Sequence, residues 1–135
     1  MFKPIANHEH AMVRVGVATG VTVTKGDAMV DNGSGYLTNA ASSTAVDVPY
    51  VAMETVVTTA DGQLVEMCRT KGVIFEADTD NAPAQTDVGT RCDLATVSTV
   101  NPDAASNNLF YIESIKGATT DKKVIGWFVE GVPNS

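Results

Sequence analysis

The stretch spanning residues 63–78, QLVEMCRTKGVIFEAD, constrains the fold more than any other part of the chain. Its first arm carries Leu64, Val65, Met67 and Cys68, and its second carries Val73, Ile74, Phe75 and Ala77. Both arms are dense in apolar residues, β-branched or aromatic ones among them, and both are bounded by turn signals, Ala60-Asp61-Gly62 before and Thr79-Asp80-Asn81 after. The pattern predicts two short strands hinged at Lys71-Gly72. Alternation mixes with doubled apolar positions, so both faces of these strands are expected to be covered in part. The remaining chain reads as further strands laid around this pair.

A chain of 135 residues is one domain by its length. It can bury somewhat more than about 65% of its unfolded surface and so hold a core without staples. Charged residues make up 19%, below the roughly 25% of an average soluble domain. Much of the polar surface is therefore Thr, Ser, Asn, Asp and Gly, which suits short strands and tight turns better than long helices. Sixteen acids against nine bases give a net charge of −7, with Lys122-Lys123 the only adjacent bases. Such a balance repels phosphate backbones and anionic lipid, which argues against nucleic-acid and membrane partners. Two cysteines, Cys68 and Cys92, are too few for a disulfide scaffold; they read as buried thiols, with a single bridge as the alternative. Met1-Phe2-Lys3-Pro4 leads into polar residues with no signal-peptide pattern. No run approaches the ~18 apolar residues of a membrane span, so a cytoplasmic product is expected.

Residues 1–12, MFKPIANHEHAM, read as an extended arm in which Pro4 disfavours helix and Phe2 and Ile5 lack periodic partners. His8 and His10 share one side of an extended chain, but no further ligand supports a metal, and a solvated segment is the expectation. Residues 13–17 alternate as a half-buried strand, and 21–24 as another. Strands over 28–30 and 36–38 flank Asp31-Asn32-Gly33-Ser34-Gly35, a hairpin signal that is a poor phosphate loop because no helix follows. The run 46–59, VDVPYVAMETVVTT, is the longest β-rich stretch. Pro49 cannot donate to a ladder, so pairing begins there as an edge or starts at Tyr50. Val51, Met53, Thr55 and Val57 are taken as its core face. The acids of the loop 79–89 lack calcium-loop spacing and read as turn residues. A short strand around 91–94, a loop over 101–108 and a closing hairpin of 109–116 with 124–130 complete the expectation, with Gly126 marking a bulge or close packing. Pairing is expected to stop at Pro133. The triplet Thr-Lys-Gly occurs at 24–26 and 70–72, each time as turn chemistry between β runs.

Reactive constellations are missing from this pattern. A nucleophile needs a positioned base, and both histidines lie in the N-terminal arm. Acids such as Glu66 and Glu76 read as outward strand residues and not as a glycosidase pair. No cofactor and no enzymatic activity are expected. The chain is thus an all-β domain, a small β-barrel or β-sandwich of short antiparallel strands over 13–135 preceded by the arm 1–12.

The order of the pieces VTVTKGDAMV, GYLTNA, YVAMETV, GQLVEMCRTKGVIFEAD, VGTRCDL and VIGWFVEG, from about Val21 to Val129, resembles the decoration proteins of tailed bacteriophages, also called capsid cement or head-stabilising proteins. That resemblance implies a non-catalytic virion protein on the outer face of an icosahedral head. It implies a homotrimer bridging major capsid subunits, with a terminal arm reaching over a neighbour. The family offers no catalytic residues to carry over. Phe2, Pro4 and Ile5 are then expected arm anchors, and Tyr36, Tyr50 and Tyr111 contact aromatics or core tyrosines. Another virion β-domain of a tail tube, neck or fibre is the alternative, and a carbohydrate-binding β-domain a further one.

Overall fold

The computed structural model describes residues 1–131; the expected end of pairing at Pro133 lies outside them. Thirteen strands form within this span: β1 (Phe2–Ala6), β2 (Met12–Val17), β3 (Thr22–Val23), β4 (Ala28–Asp31), β5 (Leu37–Asn39), β6 (Tyr50–Ala52), β7 (Val56–Val57), β8 (Gln63–Arg69), β9 (Ile74–Thr79), β10 (Arg91–Thr96), β11 (Thr99–Asn101), β12 (Phe110–Ile115) and β13 (Lys123–Phe128). Among the described residues the only helical turns are two single 3-10 turns in loops. The all-β expectation holds.

Ten of the strands close into two rings, β1 adds to the second, and β3 pairs with β7 in a separate two-stranded sheet. In the first, β2, β5, β4, β6 and β8 form a closed barrel, sealed by the parallel pair Val17–Leu37. Its interior holds Val17, Val23, Met29, Leu37, Val65 and Met67. In the second, the pairings run β9–β11–β10–β12–β13 and return to β9, with β1 alongside β9. The central stretch joins the rings. Its two strands do not form a hairpin, because β8 belongs to the first barrel and β9 to the second. The crossing at Thr70–Val73 is a tight turn with Gly72 at φ 72°, a conformation glycine adopts without steric cost. Thr70 anchors it: its hydroxyl donates to the Val48 carbonyl at 2.6 Å, and its carbonyl accepts from Val73 N–H at 3.1 Å.

The rings share one core. Strand β4 buries Met29 inside the first barrel and Ala28 and Val30 on its other face. Strand β6 likewise sends Ala52 inward and Val51 outward, and β8 sends Met67 inward and Cys68 outward. The outward set packs with Phe2, Phe75, Phe110, Ile112, Val124 and Phe128 of the second ring. All four phenylalanines of the chain meet there. Phe128 lies 4.8 Å from Phe2, 5.4 Å from Phe75 and 5.2 Å from Phe110 between ring centroids, the last two edge-to-face. Such pairs add about 0.5–1.5 kcal/mol each beyond the area they bury. Burial on both faces explains the doubled apolar positions in 28–30 and 51–52.

Two expectations need correction. Residues 1–12 are not a free arm: β1 pairs antiparallel with β9, Phe2 opposite Ala77, and Phe2 is fully buried among the other phenylalanines. Phe2, apolar with no local period, finds its partners across the chain, in strands more than seventy residues away. In the run 46–59, the set Val51, Met53, Thr55 and Val57 is not a core face; β6 is buried on both sides, the chain breaks at 53–55, and Val57 is 59% exposed. The loop expected over 101–108 forms, apart from Asn101 at the end of β11, and Asp93 organises it. Its buried carboxylate accepts the N–H groups of Ser106, Asn107 and Asn108 at 3.1, 2.7 and 2.9 Å. The closing hairpin forms as expected, and Gly126 is a point of close approach: a Cβ there would sit 1.8 Å from the Tyr111 carbonyl oxygen.

Because β1 is part of the core, Phe2→Ala is expected to cost about 3–5 kcal/mol of stability. Ile5→Ala, on the same strand but 39% exposed, should cost under about 1 kcal/mol. Urea denaturation of the two variants checks this; equal effects would mean that the segment does not pack as described.

Candidate interaction surface

Residues directly opposite on adjacent strands point to the same face of a sheet. Arg91 stands opposite Tyr111, and Tyr111 opposite Trp127. The three therefore form a row across β10, β12 and β13 on the outer face of the second ring. Their neighbours Cys92, Phe110 and Phe128 fill the core behind them. The rings of Tyr111 and Trp127 stack at 4.7 Å and 23°, and Trp127 stays 37% exposed. Arg91 is exposed and takes part in none of the ion pairs among the described residues.

This row borders a groove of about 410 Å³ whose far wall is Gly72, Val73 and Ile74. The groove exists because two strands part. The β9–β13 ladder runs from Asp78–Lys123 to Phe75–Gly126 and ends there. Beyond it β9 turns away into the 70–73 crossing while β13 continues through Trp127 and Phe128. A second groove, of about 420 Å³, lies on the other side of Phe128–Gly131 and is lined by Asp47, Tyr50, Arg69 and Lys71 among others.

Of the six residues expected at interfaces, Tyr111 and Tyr50 line a groove, one each. Phe2 is enclosed in the core and touches no solvent, so it cannot anchor a neighbouring molecule. Pro4 is half-buried opposite Phe75, and Ile5 protrudes at the bulge between Pro4 and Ala6. Tyr36 is half-buried in the β4–β5 hairpin and borders neither groove. The structure does not gather the six into one patch. Trp127 and Arg91 were not foreseen. The hairpin of residues 109–116 and 124–130 was legible, and its register, had it been fixed, would have set the only tryptophan beside Tyr111.

Burial pushes the thiols of Cys68 and Cys92 up, to about 11 and about 12, and nearby Asp93, Asp87 and Asp80 add to the effect at Cys92. Both thiols are free and buried, and both stay protonated at neutral pH. Among the described residues no three His, Cys, Asp or Glu side chains converge as metal ligands. Beside the groove strands, an ion-pair cluster ties β9 to its neighbours. Glu76 pairs with Lys116; Asp78 pairs with Lys123 at 2.6 Å and with the Met1 ammonium at 2.5 Å.

No family model, no curated protein and no solved structure matches this chain.

The cluster gives the fold a pH dependence. The hydrogen bond from Lys116 holds the Glu76 carboxyl below its ordinary pKa. Burial raises that of Asp78, but the hydrogen bonds from Lys123 and Met1 outweigh it and leave the group lowered. The folded state thus binds these protons more weakly than the unfolded chain. The stabilisation is complete above the ordinary carboxylate value and is lost as pH falls through the lowered ones. Lys123 is raised by its hydrogen bond to Asp78, so its share persists to the ordinary lysine value and fades as pH rises beyond it. Denaturation midpoints measured from about pH 5 down to about pH 2 should fall, and Glu76→Gln with Asp78→Asn should flatten the fall. An unchanged slope in the double variant would assign the pH dependence to other carboxylates.

Proposed function

We propose that this protein is a structural, non-enzymatic virion component: a decoration or cement protein that binds the outer surface of an icosahedral phage head and stabilises it where major capsid subunits meet. The carrying observation is the outward row of Arg91, Tyr111 and Trp127. Trp, Tyr and Arg are the residue types that dominate protein–protein binding energy: the two aromatics cover a large area at little conformational cost and keep a polar end, and the planar guanidinium of Arg offers several donors in a fixed fork and stacks on aromatic faces. Here they sit together on a rigid sheet, backed by the shared core, with the indole partly in solvent. The sequence resemblance supports the same reading. Two of its pieces, GQLVEMCRTKGVIFEAD and VIGWFVEG, contribute Ile74–Asp78 to β9 and Val124–Phe128 to its neighbour β13, with Phe75 opposite Gly126, and the second piece carries Trp127.

In this reading the protein acts as a homotrimer, each copy presenting the same face to a different capsid subunit. The trimer gains affinity from simultaneous contacts without strengthening any one of them. Its acidic surface suits a place outside the shell, where it meets no nucleic acid. The product is assembled onto heads in the host cytoplasm. The N-terminal segment, being a core strand, contributes to this role by completing the body and not by reaching across a seam.

Mixing the protein with undecorated, expanded heads and sedimenting them tests the proposal. Wild-type protein is expected in the pellet at saturating stoichiometry. Trp127→Ala should weaken binding by about 2 kcal/mol, roughly 30-fold in Kd, while the variant stays folded and loses about 1 kcal/mol of stability with its stack on Tyr111. Protein left in the supernatant would refute the proposal, and full binding by Trp127→Ala would remove this face from it.

A further inference from the structure

The tip of the β4–β5 hairpin lies on the first barrel and borders neither groove. We infer that it is a self-modification site: Asn32 deamidates through a succinimide closed by the Gly33 main-chain nitrogen, with the Asp31 carboxylate as the base. Asn32 is the only asparagine of the chain that precedes a glycine. Every other asparagine precedes a residue whose β-carbon crowds the attacking nitrogen, and at Asn101-Pro102 that nitrogen also has no proton to give. Residues 31–35 are all exposed, and a β-carbon added at Gly33 would meet no atom within 4 Å, so the turn is open to water.

Hydrogen bonds within the turn favour the ring closure. Gly33 N–H, the attacking group, donates to Asp31 Oδ1 at 2.6 Å. Its partner is therefore a side-chain base and not a carbonyl of the ladder. Asn32 Oδ1 accepts from Ser34 N–H at 2.8 Å and from Tyr36 N–H at 3.4 Å. These donors polarise the carbonyl that is to be attacked and stabilise the oxyanion that forms on it. The bond to Ser34 also folds the side chain over the Gly33 peptide unit, as in an Asx turn. Asn32 N–H donates to the Tyr36 carbonyl at 2.8 Å, and Asp31 pairs with Leu37, so the turn is anchored at its base. Asp61-Gly62 supplies the contrast. Gly62 N–H donates to the Val17 carbonyl at 3.0 Å, and Asp61 Oδ1 accepts from Thr19 N–H at 2.8 Å. There the nitrogen is held by the main chain, and an ionised carboxylate resists attack.

The step needs no oxidant and no co-reactant but water. The Gly33 nitrogen bonds to Asn32 Cγ as its proton passes to Asp31. The Cγ–Nδ2 bond then breaks, and the departing nitrogen takes that proton and leaves as ammonia. Water opens the ring. Opening at Cγ gives aspartate; opening at the main-chain carbonyl gives isoaspartate, whose main chain is longer by a carbon. Either product adds a negative charge beside Asp31. The isoaspartate also lengthens the connection between Asp31 and Leu37, next to the Val17–Leu37 pair that seals the first barrel.

The full chain is incubated for weeks at neutral pH, and products are located by peptide mapping with mass spectrometry and by an isoaspartate-specific methyltransferase. Aspartate and isoaspartate are expected at position 32 ahead of every other asparagine, with Asp61 unchanged. Asp31→Asn keeps an acceptor for Gly33 N–H but removes the base, and should slow loss of the Asn32 amide at least threefold. Asp31→Glu, which keeps a carboxylate, should retain part of the rate. Asn32→Gln, which must close a larger ring, should leave position 32 intact. Amide spectra of each variant verify the fold. First products at another asparagine, or an Asp31→Asn rate equal to or above that of the wild type, would overturn the proposal.

Discussion

Burial of β4, β6 and the end of β8 on both of their faces is the constraint from which the rest of the architecture follows. A five-stranded barrel of such short strands has a small interior, here filled by residues such as Val17, Met29, Leu37, Val65 and Met67. By itself it would leave Ala28, Val30, Val51 and Cys68 in water. The second ring covers them with its four phenylalanines and in doing so acquires its own core. Each ring is thus the lid of the other, and a body of modest size buries more than two separate small barrels of the same length would. Main-chain bonds reinforce the seam, with Ala28 N–H donating to Val97 at 2.8 Å and Phe2 N–H to Gly26 at 2.9 Å.

The same arrangement creates the surface we regard as functional. The chain must cross from one ring to the other, and it does so at 70–73, directly after β8 and before β9. That crossing pulls the start of β9 away from the end of β13, which opens the groove beside Trp127. A hairpin at this point would have kept both strands in one sheet. The groove is therefore a consequence of the two-ring design, and its rigidity derives from the shared core beneath it.

How much of this the sequence disclosed depended on the range of the interactions. Local signals were readable: the Asn32-Gly33 hairpin between β4 and β5, the start of pairing at Tyr50 after Pro49, the β12–β13 hairpin and the turn at Lys71-Gly72. Each depends on turn chemistry or on a run of a few residues. The errors all involve long-range pairing. Nothing near Phe2 in sequence indicates that it belongs with Phe75, Phe110 and Phe128, because its partners are brought to it by topology. The sequence 63–78 looks alike whether its arms pair with each other or part into two sheets. Doubled apolar positions in 63–78 did signal partly covered faces, but not what covered them, and the same feature in β4 and β6 went unread. Trp127 and Arg91 escaped notice for a related reason: a row across three strands exists only once their registers are set.

The claim that matters most is that the two rings form one cooperative body through the shared phenylalanine core. Native-state hydrogen exchange in rising urea tests it most directly, following amides of Val65 and Met67 in the first barrel and of Ile112 and Val124 in the second, with the fluorescence of the single tryptophan as a global reference. The account predicts that all four amides merge into the same opening, with the free energy and denaturant dependence of the fluorescence transition. Exchange of either pair through a separate, lower-energy opening that leaves the other pair protected would contradict it.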